Sequence, residues 1–401
     1  MNRLVYACLI VPLAMSTLAA ADGPILDDMD TIRFAPPKEK GTATLVDGKV
    51  GKAVRFDFAD GCQSTFFTSR LRGTPAWDKV AGFSFWVKGD GSNHGGGLQL
   101  IYDDDFAVRF DYQFSIKGTD WQKVTVAWHD LVPVLPGPRS VPLDPAGTNK
   151  PSKISAVWVG KWWYWRDYAA HSFTLDDLRL EETIPADTQD YKPTGDPLAR
   201  TRAKLKAGQS LTVVTMGDSL TDTRHWANRT VNWPALFQTR VAADFKSKVT
   251  VVNPAIGGTQ LRQNLVLIPR WTAEAPEPDL VTICFGGNDW DSGMRGEQFR
   301  ATCVDAIDRV RRATKGKADV LLITTVPAVE RWTTMAELAG ACRTAAKDRN
   351  AGLADAEKAF HDAGTTSGKE QLYVADKVHL GPPGHTLMVD SVLRAVAPGS
   401  R

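Results

Sequence analysis

The chain of 401 residues is too long for one ordinary domain and long enough for two or three, each burying its own core. A formal net charge of +2 gives no electrostatic basis for binding nucleic acid or an anionic membrane surface. Composition is otherwise ordinary, but eight of the thirteen tryptophans fall before residue 170.

In chain order, the first segment reads as a secretory signal peptide over residues 1–21. Arg3 supplies a basic start, Leu9 to Leu18 is mostly apolar, and Leu18-Ala19-Ala20-Ala21 offers small residues for cleavage before Asp22. Cys8 lies too early to favour a lipoprotein. No later run reaches the about 18 apolar residues of a membrane span, so the expectation is a secreted or periplasmic protein. The mature part keeps Cys62, Cys284, Cys303 and Cys342, too few for a disulfide scaffold and without metal-ligand spacing. Buried free thiols are the expectation.

From residue 22 to about 183 the pattern has period two. The runs 83–88, 98–102, 124–128 and 173–180 read as short strands separated by turn-rich stretches such as Gly89-Asp90-Gly91-Ser92, which predicts an antiparallel β-sandwich. Residues 184–208 turn polar and proline-bearing and read as a linker that ends in a short helix. From 209 to 401, buried-type strands at 211–216, 249–252, 280–285 and 320–325 alternate with helical spacing at 234–246, 297–314, 334–348 and 384–396. That alternation predicts a doubly wound parallel sheet, with functional groups outside the carboxyl ends of its strands.

Three strand ends carry chemistry-bearing residues. The first ends at Gly217-Asp218-Ser219-Leu220, where a small residue before Ser219 allows a sharp turn that presents the hydroxyl. Alone, such an Asp-Ser is as well explained as a helix cap. The second ends at Asn253-Pro254-Ala255-Ile256-Gly257-Gly258-Thr259 and the third at Phe285-Gly286-Gly287-Asn288-Asp289. Together they offer a hydroxyl, glycine N–H groups and the Asn288 amide. A serine nucleophile needs a base. Among seven histidines, His379 follows Asp376 by three residues, so the carboxylate can accept from Nδ1–H and leave Nε2 to take the serine proton. His385 opens the last helix and reads as structural or as a pocket wall. Asp218, Asp222 and Asp289 read as carboxylates that fix loops around the site.

These four segments resemble, in order and spacing, the four signature blocks of the SGNH (GDSL-type) hydrolase superfamily, over roughly residues 211–396. The resemblance implies a flavodoxin-like sheet with Ser219 as nucleophile, His379 as general base and then acid, and Asp376 orienting it. It implies an oxyanion hole from the N–H of Ser219, the N–H of Gly258 and the side chain of Asn288, with the Gly257-Gly258 pair leaving a one-residue ambiguity. No metal is required. Trp226, Trp233 and Trp290 near these blocks are candidate substrate-binding residues, since sugar rings stack on tryptophan; packing at core edges is the alternative.

Residues 83–92, 118–124 and 175–178 resemble the galactose-binding-like, carbohydrate-binding jelly rolls attached to polysaccharide-acting enzymes. The run 158–165, Trp-Val-Gly-Lys-Trp-Trp-Tyr-Trp, is then a candidate sugar platform, although alternate residues of a strand must face the core. Asp27, Asp28 and Asp177 are conceivable ligands for a structural calcium in such a domain. The expectation is a carbohydrate O-acetylesterase acting on an acetylated oligo- or polysaccharide. A lipase, thioesterase or O-acyltransferase with the same triad, or a non-catalytic carbohydrate-binding protein, stand as alternatives.

Overall fold

The computed structural model describes residues 23–37 and 40–397, so the signal-peptide reading falls outside the described residues. Two antiparallel sheets form the first half. One runs, in spatial order, Gly41–Asp47, Lys52–Phe58, His171–Glu181, Gly82–Gly89 and Gln122–Ala127, with Ile25–Asp27 paired to the third of these. The other runs Phe66–Thr68, Ile154–Val159, Gly95–Tyr102, Asp105–Ser115 and Val132–Pro133. Alternation places Val54, Phe56 and Phe58 of one strand in a core shared with Phe66, Leu98, Phe110 and Phe173 from both sheets. Edge-to-face ring pairs such as Phe56–Phe66, with centroids 4.9 Å apart, fill it.

The second half is a five-stranded parallel sheet in the spatial order Val249–Val252, Leu211–Gly217, Leu280–Cys284, Asp319–Ile323 and Gly352–Ala354. This is the 2-1-3-4-5 order of flavodoxin-like sheets. The strands read as near-continuous apolar runs because helices cover both faces. Gly296–Ala313 and Ala336–Arg349 lie on one face, and Trp233–Phe245, Ala356–Ser367 and Pro382–Val396 on the other. Asn232 opens its helix by accepting a hydrogen bond from the Ala235 N–H at 2.9 Å, with Pro234 in the first turn. The four cysteines Cys62, Cys284, Cys303 and Cys342 are buried.

The two halves share a core. Trp162, Tyr164 and Trp165 of the β region lie in the same apolar cluster as Leu261, Ile268 and Trp271 of the α/β region. Burying each tryptophan contributes roughly 4–6 kcal/mol as an upper bound. Arginines of the α/β region donate across the junction to β-region carbonyls: Arg309 to Asp130 at 2.9 Å, Arg262 to Leu135 at 3.2 Å and Arg270 to Trp165 at 2.9 Å.

This corrects the reading of residues 158–165 as a sugar platform. The strand stops at Val159, the chain turns, and a short 3-10 segment, Trp163–Trp165, tucks Tyr164 and Trp165 into the junction. Only Trp163 in that run is substantially exposed. The segment 184–208 packs along the α/β region and includes a short helix. Lys315 pairs with Asp187, Asn350 donates to the carbonyls of Pro193 and Gly195, and the helix Ala199–Lys206 anchors through Arg200 and Lys204 to Asp279. The carboxylates considered for calcium are committed elsewhere. Asp27 and Asp28 both receive Arg33, and Asp177 receives Arg179. Among the described residues no group of three or more His, Cys, Asp or Glu side chains could hold a metal ion, so this set does not fit one. No helix of the described residues is long and apolar enough to cross a membrane.

Candidate active site

Three adjacent strand ends converge. The strand Leu211–Gly217 stops where a side chain at Gly217 would meet Thr221 at 2.4 Å, so only glycine permits the turn that lifts Ser219 off the sheet. Asp218 Oδ1 accepts the Leu220 N–H at 3.0 Å, and Asn228 Nδ2 donates to the carbonyls of Ser219 and Asp222 at 2.6 and 2.8 Å. The serine is therefore held by its own loop before any partner approaches.

Asp376 and His379 lie on a tight reversal closed by a bridge between Tyr373 and Leu380. Lys377 takes a left-handed conformation there (φ 61°), and Asp376 Oδ1 accepts the N–H of both Val378 and His379 at 2.9 Å. The other carboxylate oxygen meets His379 Nδ1 at 2.6 Å, and His379 Nε2 meets Ser219 Oγ at 2.9 Å. Partial burial pushes the Asp376 carboxyl up, but the hydrogen bonds from His379 and the turn N–H groups outweigh it and hold the group below the ordinary range. A hydroxyl, an imidazole and an ionised carboxylate thus form one hydrogen-bonded chain.

The loop after the second strand supplies donors. Ile256 N–H donates to the Gly217 carbonyl at 3.1 Å and Gly257 N–H to Asp222 Oδ2 at 3.1 Å, which ties this loop to the serine loop. The Gly257 N–H is therefore spent on Asp222. That of Gly258, a residue at φ 81°, takes no hydrogen bond among the described residues. Asn288, after the third strand, uses one amide hydrogen on the Thr259 carbonyl at 3.0 Å, and its amide has a second. The buried Asp289 accepts the Leu261 N–H at 3.0 Å, so the second and third loops are also joined. Burial raises Asp218 to about 6 and Asp289 to about 7.

A cleft of about 180 Å³ opens beside Ser219 and Asn288, with Leu220, Val326, Ala328 and Met335 on its walls and the Arg331–Asp291 ion pair at its edge. On the other side of the imidazole, His225 stacks on His379 and the exposed Trp226 stands edge-on to it at 5.6 Å. None of the three tryptophans considered for substrate lines this cleft, and two of them are committed elsewhere. Trp233 is fully buried, its indole N–H donating to Thr221, because it is the first residue of a helix packed on the sheet. Trp290 is half-buried with its face covered by the Arg295 guanidinium at 3.8 Å. His385 lies buried in the first turn of the last helix, and neither ring nitrogen has a partner among the described residues.

Residues 215–387 match the model of the GDSL-like lipase/acylhydrolase family. The chain carries a GDSL-type hydrolase domain. As such it is an esterase or acylhydrolase, and its parallel sheet is the SGNH α/β fold preceded by the two-sheet β region. Among solved structures, an acetylxylan esterase from Geobacillus stearothermophilus is similar at 23% identity, over 48% of this chain and 96% of that one, with a TM-score of 0.40. A lipase/acylhydrolase from Enterococcus faecalis is similar at 23% identity, over 46% and 94%, with a TM-score of 0.39. No curated protein matches by sequence.

Three contacts of the hydrolase site have no motif of their own in the sequence. The brace from Asp222 to Gly257 and the stack of His225 on His379 each join residues about thirty or more positions apart. Arg166 of the β region donates to the Gly257 carbonyl at 3.0 Å. Asp222 stood out only as a loop carboxylate, and nothing around Arg166 signals its destination.

Proposed function

We propose that this protein is a serine esterase that removes short acyl groups, acetyl above all, from carbohydrate hydroxyls through an acyl-enzyme. Ser219 Oγ attacks the ester carbonyl while His379 Nε2 takes its proton, and Asp376 holds the imidazole in the productive tautomer and stabilises the imidazolium. The oxyanion lies among the N–H groups of Ser219 and Gly258 and the Asn288 amide, each contributing roughly 3–4 kcal/mol in the transition state. His379 then protonates the leaving sugar alkoxide. It next activates a water that attacks the acyl-enzyme, releasing the acid and restoring Ser219.

The hydrogen-bonded chain Ser219–His379–Asp376, at 2.9 and 2.6 Å, carries the reading. The acyl preference rests on the small cleft, which lies below the roughly 300 Å³ at which ordinary ligand cavities begin. The alcohol leaves toward the His379 imidazole, where Trp226 offers an exposed indole to a sugar face. A polymeric substrate outside the cell suits the export expected from residues 1–21. Acetate release from acetylated glycans, set beside hydrolysis of p-nitrophenyl esters from acetyl to palmitoyl, tests the proposal. Preference for the long chains would replace it with a lipase, and undiminished hydrolysis by Ser219→Ala would remove the nucleophile assignment.

A further inference from the structure

The two-sheet region delivers one charged side chain to the hydrolase site. Arg166 is exposed, yet its backbone is fixed. It sits at φ 51°, in the left-handed region, closing the 3-10 segment whose Trp165 is fully buried in the junction. The next residue, Asp167, is clamped by His94 Nδ1 at 2.7 Å, Lys161 at 3.5 Å and Arg270 at 3.7 Å. Anchors on both sides thus set the direction of an otherwise flexible arginine before substrate arrives.

That direction is toward the alcohol side of the ester. One Nη2 hydrogen goes to the Gly257 carbonyl at 3.0 Å, and a side chain added to Gly258 would come within 3.6 Å of the same nitrogen. On its other face, a side chain added to Gly257 would lie 3.4 Å from Ser219 Cβ and 3.2 Å from His225, which stacks on His379. With the acyl group in the cleft beside Asn288, the leaving alkoxide that His379 protonates is directed to the opposite side, toward His225, Trp226 and this guanidinium. Neighbouring cations are already neutralised, Arg224 by Asp222 and Arg270 by Asp167. Arg166 has no ion pair among the described residues, and its remaining N–H groups have no partner there.

We propose that Arg166 recognises a carboxylate on the sugar that bears the acyl ester or on its neighbour, so that the substrate is an acetylated, uronate-containing glycan. The proposal builds on the acetyl-ester reading above. A guanidinium fork matches a carboxylate in two parallel hydrogen bonds, which a lysine cannot reproduce. The β region then acts as a wall of the active site that selects charge, not as a separate anchor on polymer.

The test uses the full chain with acetylated oligogalacturonides and acetylated α-1,4-galacto-oligosaccharides of equal length, which differ in the C6 carboxylate. The wild type is expected to favour the uronate series in kcat/KM by roughly 10- to 100-fold. Arg166→Met should erase that ratio and Arg166→Lys should recover part of it, with melting curves confirming that both fold. Binding of unacetylated oligogalacturonide to the Ser219→Ala chain by calorimetry reads the same contact without catalysis, and Arg166→Met in that background should weaken it by the same factor. Equal kcat/KM on the two series, or equal losses on both in Arg166→Met, would overturn the recognition of charge while leaving the esterase intact. Absence of acetate release from either series, with tight Arg166-dependent oligogalacturonide binding, would overturn the acetyl-ester reading and uphold the carboxylate site.

Discussion

The imidazole of His225 lies on that of His379, with ring centroids 4.3 Å apart and planes inclined by 28°. Burial, then the neighbouring His379 charge, lowers the His225 pKa, and its Nδ1 accepts the Ala227 N–H at 3.4 Å. It is thus a neutral plate behind the proposed base. A fixed cation there would oppose imidazolium formation. His225→Phe should keep kcat on p-nitrophenyl acetate within about threefold, whereas His225→Lys should lower it by roughly 100-fold or more. Equal losses in the two variants would mean that the stack serves only packing.

The spent Gly257 N–H and the free Gly258 N–H separate two candidate oxyanion donors. Asn288→Ala should lower kcat by roughly 10²–10³ with little change in KM, because the contact forms in the transition state. Gly258→Ala should also lower kcat, since φ 81° strains any side chain and shifts the N–H. Steady-state kinetics on one small ester, with circular dichroism as a fold control, checks both.

The two buried carboxyls near the site give stability a definite slope with pH. Asp218 and Asp289 bind protons more tightly folded, at about 6 and about 7, than unfolded near 3.8. Between roughly pH 4 and 7 the unfolded chain therefore holds fewer protons, and stability falls as pH rises. Asp289→Asn keeps an acceptor for Leu261 and removes the ionisation. Its melting temperature relative to wild type should be higher at pH 8 than at pH 5, by the equivalent of at most about 3 kcal/mol. A difference independent of pH would place the carboxyl in a more polar setting.

His385 acts in the opposite direction. Burial lowers its pKa to about 4 from the ordinary 6.5, so the unfolded chain takes up a proton first as pH falls through that interval. Stability is lost toward acid, by up to about 3 kcal/mol. His385→Leu should flatten the melting temperature between pH 6.5 and 4 and leave ester hydrolysis at pH 8 nearly unchanged. A steep loss of activity would instead bring this helix start into the site.

Trp165 reports on the junction. Trp165→Ala should cost about 3–5 kcal/mol, seen as a lower denaturation midpoint in one shared transition for both halves. Two separated transitions in the wild type would show that the halves unfold independently.

Much of this was readable in advance, for identifiable reasons. Strands such as Leu211–Gly217 and Leu280–Cys284 are mostly apolar because helices cover both faces, and Gly82–Gly89 alternates core residues because one face meets the core. The proximity of Asp376 to His379 is local, set by a three-residue turn. What was not legible is long-range. Trp233 and Trp226 look alike as residue types beside a motif. One opens a helix that packs inward and the other stands in a short exposed turn. The aromatic run at 158–165 carries the composition of a sugar platform, and only the docking of the second half decides that it is interior. Strand Gly352–Ala354 was missed because three residues carry no period, and helix Ala356–Ser367 was missed although its apolar residues share one face.

The common core around Trp162, Trp165 and Trp271 also limits how this chain can be recombined. A β region spliced onto another hydrolase would bring an apolar wedge with no socket, and a hydrolase domain cut away at residue 184 would present that socket to water. Shuffling at the polar segment 184–208, the obvious seam in the sequence, therefore separates surfaces that must be inherited together, and the oxyanion loop would lose its neighbour Arg166 in the same stroke.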